Sequence, residues 1–254
     1  MKFLTRFFGP NGRFVFPAVL ALSFFSSATV AGNLEQGVTD PPVVSPKRLG
    51  SDVSAFYLGL SGAYASGGTD RFGLRTPTDI FEIGELDLSG GYGGIRGGWR
   101  GVLPAIGGRD YVYGFELGYD FGKIDDEVST DIGTVAVTGG SEVSDIISLR
   151  FRNGLTNKSG TVLYFVSVGY VQGDITTSSS LSSGGTVQSF EDSDSRNGFS
   201  ASIGAEHSLN ENWSITGEFE YVQFDSREVE FDNGFSTKST PRYRGLRFGL
   251  NYTF

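Results

Sequence analysis

The sequence has no cysteine, one methionine and one histidine. Without thiols there is no disulfide scaffold and no thiolate metal site, although the compartment is left open. Positive charge is in the minority: 20 Lys and Arg face 29 Asp and Glu, for a formal net charge of -9. That balance argues against nucleic acid as a partner, because phosphate binding needs a basic face. Long apolar runs are missing as well. No segment after the amino terminus approaches the roughly 20 apolar residues of a spanning helix, so any crossing of a bilayer has to be made by strands. In abundance are glycine (38), phenylalanine (22) and tyrosine (11), a composition suited to short strands and turns.

The amino terminus has its own pattern. Lys2, Arg6 and Arg13 precede a short apolar run over 15–25, and small residues follow over 26–31. This is the form of a secretory signal peptide cut after Ala31 or Ala28, and the run is too short for a membrane anchor. Residues 1–31 are therefore expected to be removed. Residues 32–54, with Pro41, Pro42 and Pro46, are expected to form a flexible leader, and 55–254 a single β domain.

The last stretch is the clearest. Leu246, Phe248, Leu250, Tyr252 and Phe254 alternate with Gly245, Arg247, Gly249, Asn251 and Thr253. Period two puts the apolar set on one strand face and the polar or small set on the other. The same alternation recurs over 55–65, 85–100, 110–123, 144–155, 161–175, 196–209 and 213–224. Glycines 90, 91, 93, 94, 97 and 98 blur the faces of the second segment, where a bulge is expected. Long connections (66–84, 124–143, 176–195, 225–240) alternate strictly with short ones (101–109, 156–160, 210–212). Eight strands with that rhythm predict an all-β fold, an eight-stranded antiparallel transmembrane up-and-down barrel. The competing reading is a soluble β-sandwich, whose apolar faces would pack inward. Against it, Trp99, Tyr111, Trp213, Tyr252 and Phe254 all fall at the short-turn side, as an aromatic girdle at one membrane interface would.

Residues 204–221, GAEHSLNENWSITGEFEY, together with 56–62, FYLGLSG, and 246–254, carry a resemblance. They are similar to the sixth and seventh strands, the first strand and the last strand of the small outer-membrane β-barrel family. That family includes the OmpA-like barrels, the opacity-type proteins and the alphaproteobacterial 25–31 kDa surface proteins. The resemblance covers about 51–254 and implies a place in the cell outer membrane, with both termini periplasmic and the four long loops outside. It also implies that Phe248, Leu250, Tyr252 and Phe254 form the assembly signal read by the barrel-assembly machinery. Expected partners are outer-membrane lipid and lipopolysaccharide, with host or phage surface ligands at the loops; a monomer is expected. Activity is poorly implied, since such barrels serve as adhesins, minor pores and structural proteins alike.

Chemistry in the chain is sparse. His207 has Glu206 and Ser208 beside it, but strand neighbours point to opposite faces, so a Ser–His pair cannot form there. The loop carboxylates Asp125, Asp126 and Glu127, and Glu191, Asp192 and Asp194, lack calcium-loop spacing and read as solvated charge. No cofactor, metal or catalytic residue is expected. The inward charges Glu116, Arg150, Arg152, Glu218, Glu220 and Arg247 predict ion pairs inside the barrel, with Arg150 across from Glu116 and Arg247 across from Glu220. The expected role is structural or surface-interacting, not enzymatic. A small diffusion channel is the alternative, and a lipid A-modifying enzyme a distant third.

Overall fold

The computed structural model describes residues 54–75, 80–230 and 236–254. The expected signal peptide, and the leader up to residue 53, lie outside the described residues. The strands are β1 (Ala55–Arg75), β2 (Ile80–Ala105), β3 (Arg109–Gly122), β4 (Ile124–Ile132), β5 (Val135–Thr156) and β6 (Val162–Ser183). Then come β7 (Thr186–Ser208), β8 (Trp213–Phe224), β9 (Arg227–Glu230), β10 (Ser236–Ser239) and β11 (Arg242–Thr253). Antiparallel pairing runs β1–β2–β3–β5–β6–β7–β8–β11 and returns to β1. The result is a closed ring of eight strands. β4 prolongs β3 past Lys123, and β9 and β10 prolong β8 and β11. The closing seam pairs Tyr57 with Thr253 through Ala65 with Gly245, and Phe254 N donates to Phe56 O at 3.0 Å. A ring satisfies every strand within itself, which is what allows a sheet to sit in hydrocarbon.

Which face points where separates the barrel from the sandwich. Phe56, Leu58, Leu60 and Tyr64 of β1 are exposed, as are Phe115, Leu117 and Phe121 of β3 and Leu246, Phe248 and Leu250 of β11. Arg96, Glu116, Arg150, Glu218 and Arg247 are buried. A soluble sandwich would do the reverse. The exposed apolar set on β1 spans nine residues, from Phe56 to Tyr64. A tilted strand crossing a bilayer core needs about 9–11.

Above that band the strands continue, with β6 and β7 running 22 and 23 residues. The stretches expected to be loops are largely hairpin extensions instead. Their Ser, Thr, Gly and acidic residues mask an alternation whose inward members mix apolar side chains with Ser141, Thr177 and Ser179. Ala65, Leu88, Ile124, Val143, Ile175 and Phe224 belong to one cluster and Phe72, Ile83, Leu86, Val137 and Val229 to another, farther out. Gly184 and Gly185, with φ of 55° and 84°, form the two-residue turn between β6 and β7, the positive-φ pair that matches strand twist. Above the band, Lys123 Nζ lies 2.9 Å from Glu142 Oε2, a bond that raises the ammonium above the ordinary lysine range.

The expected bulge at the glycines of β2 is absent. Pairing with β1 is unbroken from Ala55 opposite Arg100 to Ser66 opposite Ser89. The register shifts lie higher, between Ser66 and Thr69, between Phe72 and Gly73, and in β5 between Ser144 and Ile147. The last contains Asp145, with φ of 48°. One extra residue there re-phases the alternation, so that odd-numbered Val137 and Val143 and even-numbered Ile146 and Arg150 all face inward. For the same reason the periodicity of β5 seemed to begin only at residue 144.

Candidate functional site

The lumen holds the molecule's densest polar chemistry, and each strand of the ring delivers it from its even or odd inward set. At the short-turn end Val112, Leu163 and Phe165 form a small apolar floor. The Arg152 guanidinium carbon sits 3.5 Å from the Phe165 ring centroid. Above the floor Glu206 accepts from Arg100 at 3.0 Å, Arg152 at 2.8 Å and Ser214 Oγ at 2.7 Å. In the next layer Arg96 and Arg150 share Glu116 and Glu218. Arg96 reaches them at 2.9 and 3.1 Å; Arg150 Nη1 reaches Glu218 at 3.0 Å, and Arg150 also bonds Glu116. Tyr57 donates its hydroxyl to Glu116 at 2.8 Å. Higher still, Arg247 makes two bonds to Asp120, at 2.6 and 2.9 Å, and two to Glu220, at 3.0 and 3.2 Å. Tyr92 donates to Glu220 as well. The apolar cluster around Ile124, Val143 and Phe224 closes the top.

Charge is balanced within this network. Arg96, Arg100, Arg150, Arg152 and Arg247 stand against Glu116, Asp120, Glu206, Glu218 and Glu220. A buried charge without a partner costs several kcal/mol, so a narrow lumen tolerates these ten groups only as a matched set. Residual space is small. One cavity among the middle layer is about 10 Å³ and one beside Glu206 about 20 Å³. A single water needs roughly 10–15 Å³. Each of these two spaces is about the size of one water.

The sequence-derived residues fall as follows. Arg150 lies directly opposite Glu116. Arg247 lies opposite Glu218, not Glu220, because Tyr252 and not Phe254 pairs with Trp213. A two-residue register difference preserves the face, and the long arginine reaches Glu220 diagonally. The stagger of a closing barrel is set by all eight strands together and is not written in any one. Arg152 sits lower, on Glu206. Arg96, Arg100, Asp120, Glu206, Tyr57 and Tyr92 were not assigned to the network from sequence. Tyr92, Arg96 and Arg100 share one phase of β2, and reading that phase through the glycines would have found them.

Those glycines have a packing reason. A Cβ on Gly98 would come within 2.5 Å of Tyr57 Cζ and 2.7 Å of the Phe115 carbonyl oxygen, and one on Gly94 would collide with the Asp120 carboxylate. They let side chains of neighbouring strands cross the lumen. Gly98→Val is expected to displace Tyr57 from Glu116 and to destabilise the barrel by about 1–3 kcal/mol, measured by urea unfolding in lipid vesicles. Unchanged stability would mean that Tyr57 has another place to go.

At the short-turn end the aromatic residues meet in pairs. Trp99 and Tyr113 stand edge to face at 5.8 Å, Tyr111 stacks on Tyr113 at 6.0 Å, Trp213 meets Tyr252 at 5.0 Å, and Tyr252 meets Phe254 at 5.3 Å. Phe248 and Leu250 face outward on the same strand. His207 is exposed while Glu206 is buried, so the two side chains are on opposite faces. Asp126 and Asp194, from the two acidic stretches, are engaged. Asp126 Oδ2 accepts from Asp87 N at 2.7 Å, and Asp194 bonds Arg196 at 3.0 Å and Arg227. Among the described residues no group of three or more His, Asp or Glu is placed to hold a metal.

Residues 18–254 match the family model described as outer membrane protein beta-barrel domain. The chain is 23% identical over 237 residues to the 31 kDa outer-membrane immunogenic protein of Brucella melitensis, covering 91% of this chain and 96% of that one. Among solved structures it is similar to OprG from Pseudomonas aeruginosa, with a TM-score of 0.49, 10% identity, and coverage of 81% and 98%. It is also similar to Neisserial surface protein A, with a TM-score of 0.35, 12% identity, and coverage of 78% and 97%.

Proposed function

The chain belongs to the outer membrane protein β-barrel domain family, and on that premise we propose that it is a closed, non-conducting outer-membrane barrel that works through its outer hairpins as a structural or surface-interaction protein of the adhesin kind. The lumen is the observation that supports this. Five arginines and five carboxylates bond across it, and apolar clusters cap it at both ends. Eight strands give an interior that side chains can fill. The hairpins rise well beyond the nine-residue band, on the side where this family carries its long loops. The Brucella relative is named an immunogenic outer-membrane protein, and projecting hairpins are what a surface of that kind would present. The partners of this reading are lipid and lipopolysaccharide around the band and host or phage ligands at the hairpins, with the protein a monomer. It assigns no catalysis to His207, which faces outward near the turn end.

Planar bilayers test the closed lumen. The purified protein should show no steady conductance and at most rare small openings; a large, steady, ion-selective current would replace this reading with the diffusion channel. The closing strand supplies a second test. With Phe254 packed on Tyr252 and bonded to β1, its deletion should lower outer-membrane yield and leave unfolded precursor in the periplasm. Normal yield with normal heat-dependent gel mobility would remove the assembly-signal role from this residue.

A further inference from the structure

The outward faces of β8 and β11 mark where the hydrocarbon ends. The outward set runs from Trp213 to Tyr221 on β8, and from Phe254 back to Leu246 along the last strand, nine residues each. Beyond Leu246 the same phase carries cations. Arg244 and Arg242 follow on β11, and Lys238 continues the phase on β10. Arg244 and Lys238 are exposed and Arg242 is half-buried, whereas Tyr243 and Ser239 in the alternate phase are buried. From Arg244 to Lys238 the file rises roughly 20 Å at about 3.3 Å per residue.

The residues paired with the two arginines on β8 are neutral. Tyr221 stands opposite Arg244 and Gln223 opposite Arg242, and the Tyr221 hydroxyl donates to Gln223 Oε1 at 2.6 Å. Arg242 also has an interaction of its own within the protein, so Arg244 is the principal group at the edge of the band. Lys238 stands opposite Glu228, a carboxylate that already accepts from Arg75 at 3.4 Å and Ser236 Oγ at 3.1 Å. Across the ring the outward sign is reversed. Asp125 and Glu127 of β4, Glu142 of β5 and Asp174 of β6 share the outward face there, and Lys123 is bonded to Glu142 at 2.9 Å. An anion at the outer surface is thus drawn to the β11 wall and repelled by the wall facing it.

We propose that Arg244, Arg242 and Lys238 form a binding file for the head of a phosphorylated glycolipid in the outer leaflet. The lipid phosphate sits on Arg244 beside Tyr221, at the edge of the hydrocarbon, where a planar guanidinium fork suits a phosphate. Anionic sugar groups then continue outward past Arg242 to Lys238. A phospholipid head stays at the level of Arg244, whereas a file of this length matches a head that extends away from the membrane. The site rests on the reading of the hairpins as the outer face of the barrel.

The test transfers the full protein out of mixed micelles holding equal amounts of lipopolysaccharide, dephosphorylated lipopolysaccharide and phosphatidylglycerol, and measures the lipid retained by mass spectrometry. The parent should retain the phosphorylated glycolipid roughly tenfold over the dephosphorylated form or better, since each cation near a membrane surface adds to anion affinity. Arg242→Gln with Arg244→Gln should remove that preference and keep the heat-dependent gel mobility. Lys238→Gln should lower retention of the glycolipid and leave that of phosphatidylglycerol unchanged, because only an extended head reaches it. Lys123→Gln removes the same charge from the facing wall and should change nothing. No preference in the parent, or a preference that survives the double variant, would overturn the proposal. So would an equal loss in Lys123→Gln, which would mean attraction by net charge, or retention of phosphatidylglycerol equal to that of the glycolipid. Displacement of the glycolipid by inorganic phosphate at the same concentration would reduce the file to a simple anion site. Protease added to intact cells separates this site from the reading beneath it. If it cuts the Gly184–Gly185 turn while the parent shows no lipid preference, only the glycolipid site falls. If the turn is protected because it lies on the inner side, the reading of the hairpins falls with it.

Discussion

Arg247→Ala should be among the most damaging single changes to this barrel. Arg247 is 3% exposed and holds two carboxylates, Asp120 and Glu220, with four hydrogen bonds. Removing one member of a buried ion pair costs about 3–5 kcal/mol, because the partner's charge remains without compensation. Two nearby arginines soften the loss only at a distance: Arg96 lies 3.9 Å from Asp120 and Arg150 3.9 Å from Glu220. A value near 3 kcal/mol is therefore expected from urea unfolding in vesicles. Arg247→Lys keeps the charge but not the planar fork, and should fall between the two. Adding Asp120→Asn to Arg247→Ala should recover part of the loss, since it removes one of the stranded charges. In bilayers the Arg247→Ala protein should open more often than the parent. A variant as stable as the parent and electrically silent would show that the upper ion layer contributes nothing to closing the lumen.

Leu60→Arg and Val187→Arg should behave very differently, although both parent side chains are 65% exposed. Leu60 is the middle of the outward set from Phe56 to Tyr64, so its surroundings are hydrocarbon. Arginine on the lipid face near the midplane costs roughly 2–4 kcal/mol. Val187 stands at the outer end of β7, beyond the band, where water solvates the charge. A surface substitution of that kind stays within about 0.5 kcal/mol. The difference between the two variants, measured in the same vesicles, reports the level of the membrane directly. Equal costs would mean that the band is misplaced along the strands.

Alternation alone was enough to place the eight segments, and the faces of all but the glycine-rich second, because period two is a property of each strand by itself. Trp213–Phe224 is found as a strand with the bounds read from sequence, and β11 differs from its expected range by only a residue at each end. The hairpin extensions were hidden for a local reason. Asp145 shifts the phase of β5 by one residue, and the Ser- and Gly-rich runs of β6 and β7 resemble loops until each is paired with the other. The sign and inward phase of Glu116, Arg150 and Glu218 were legible, but their partners were not. Arg96 is hidden among glycines whose purpose is to make room for Tyr57 and Asp120, side chains of other strands.

By itself, then, the sequence determined that membrane crossing could only be by strands, that eight of them carry an apolar face, and that charge of both signs lies on the other. Those are consequences of composition and of a two-residue repeat. Only the tertiary structure decided that Arg247 stands opposite Glu218 and reaches Glu220, that Arg96 and Arg100 join the lumen network, and that ten charges cancel inside the lumen. Each of these depends on the stagger with which the ring closes. That stagger is fixed by the joint packing of eight strands and the arginines that cross between them, and no single segment encodes it.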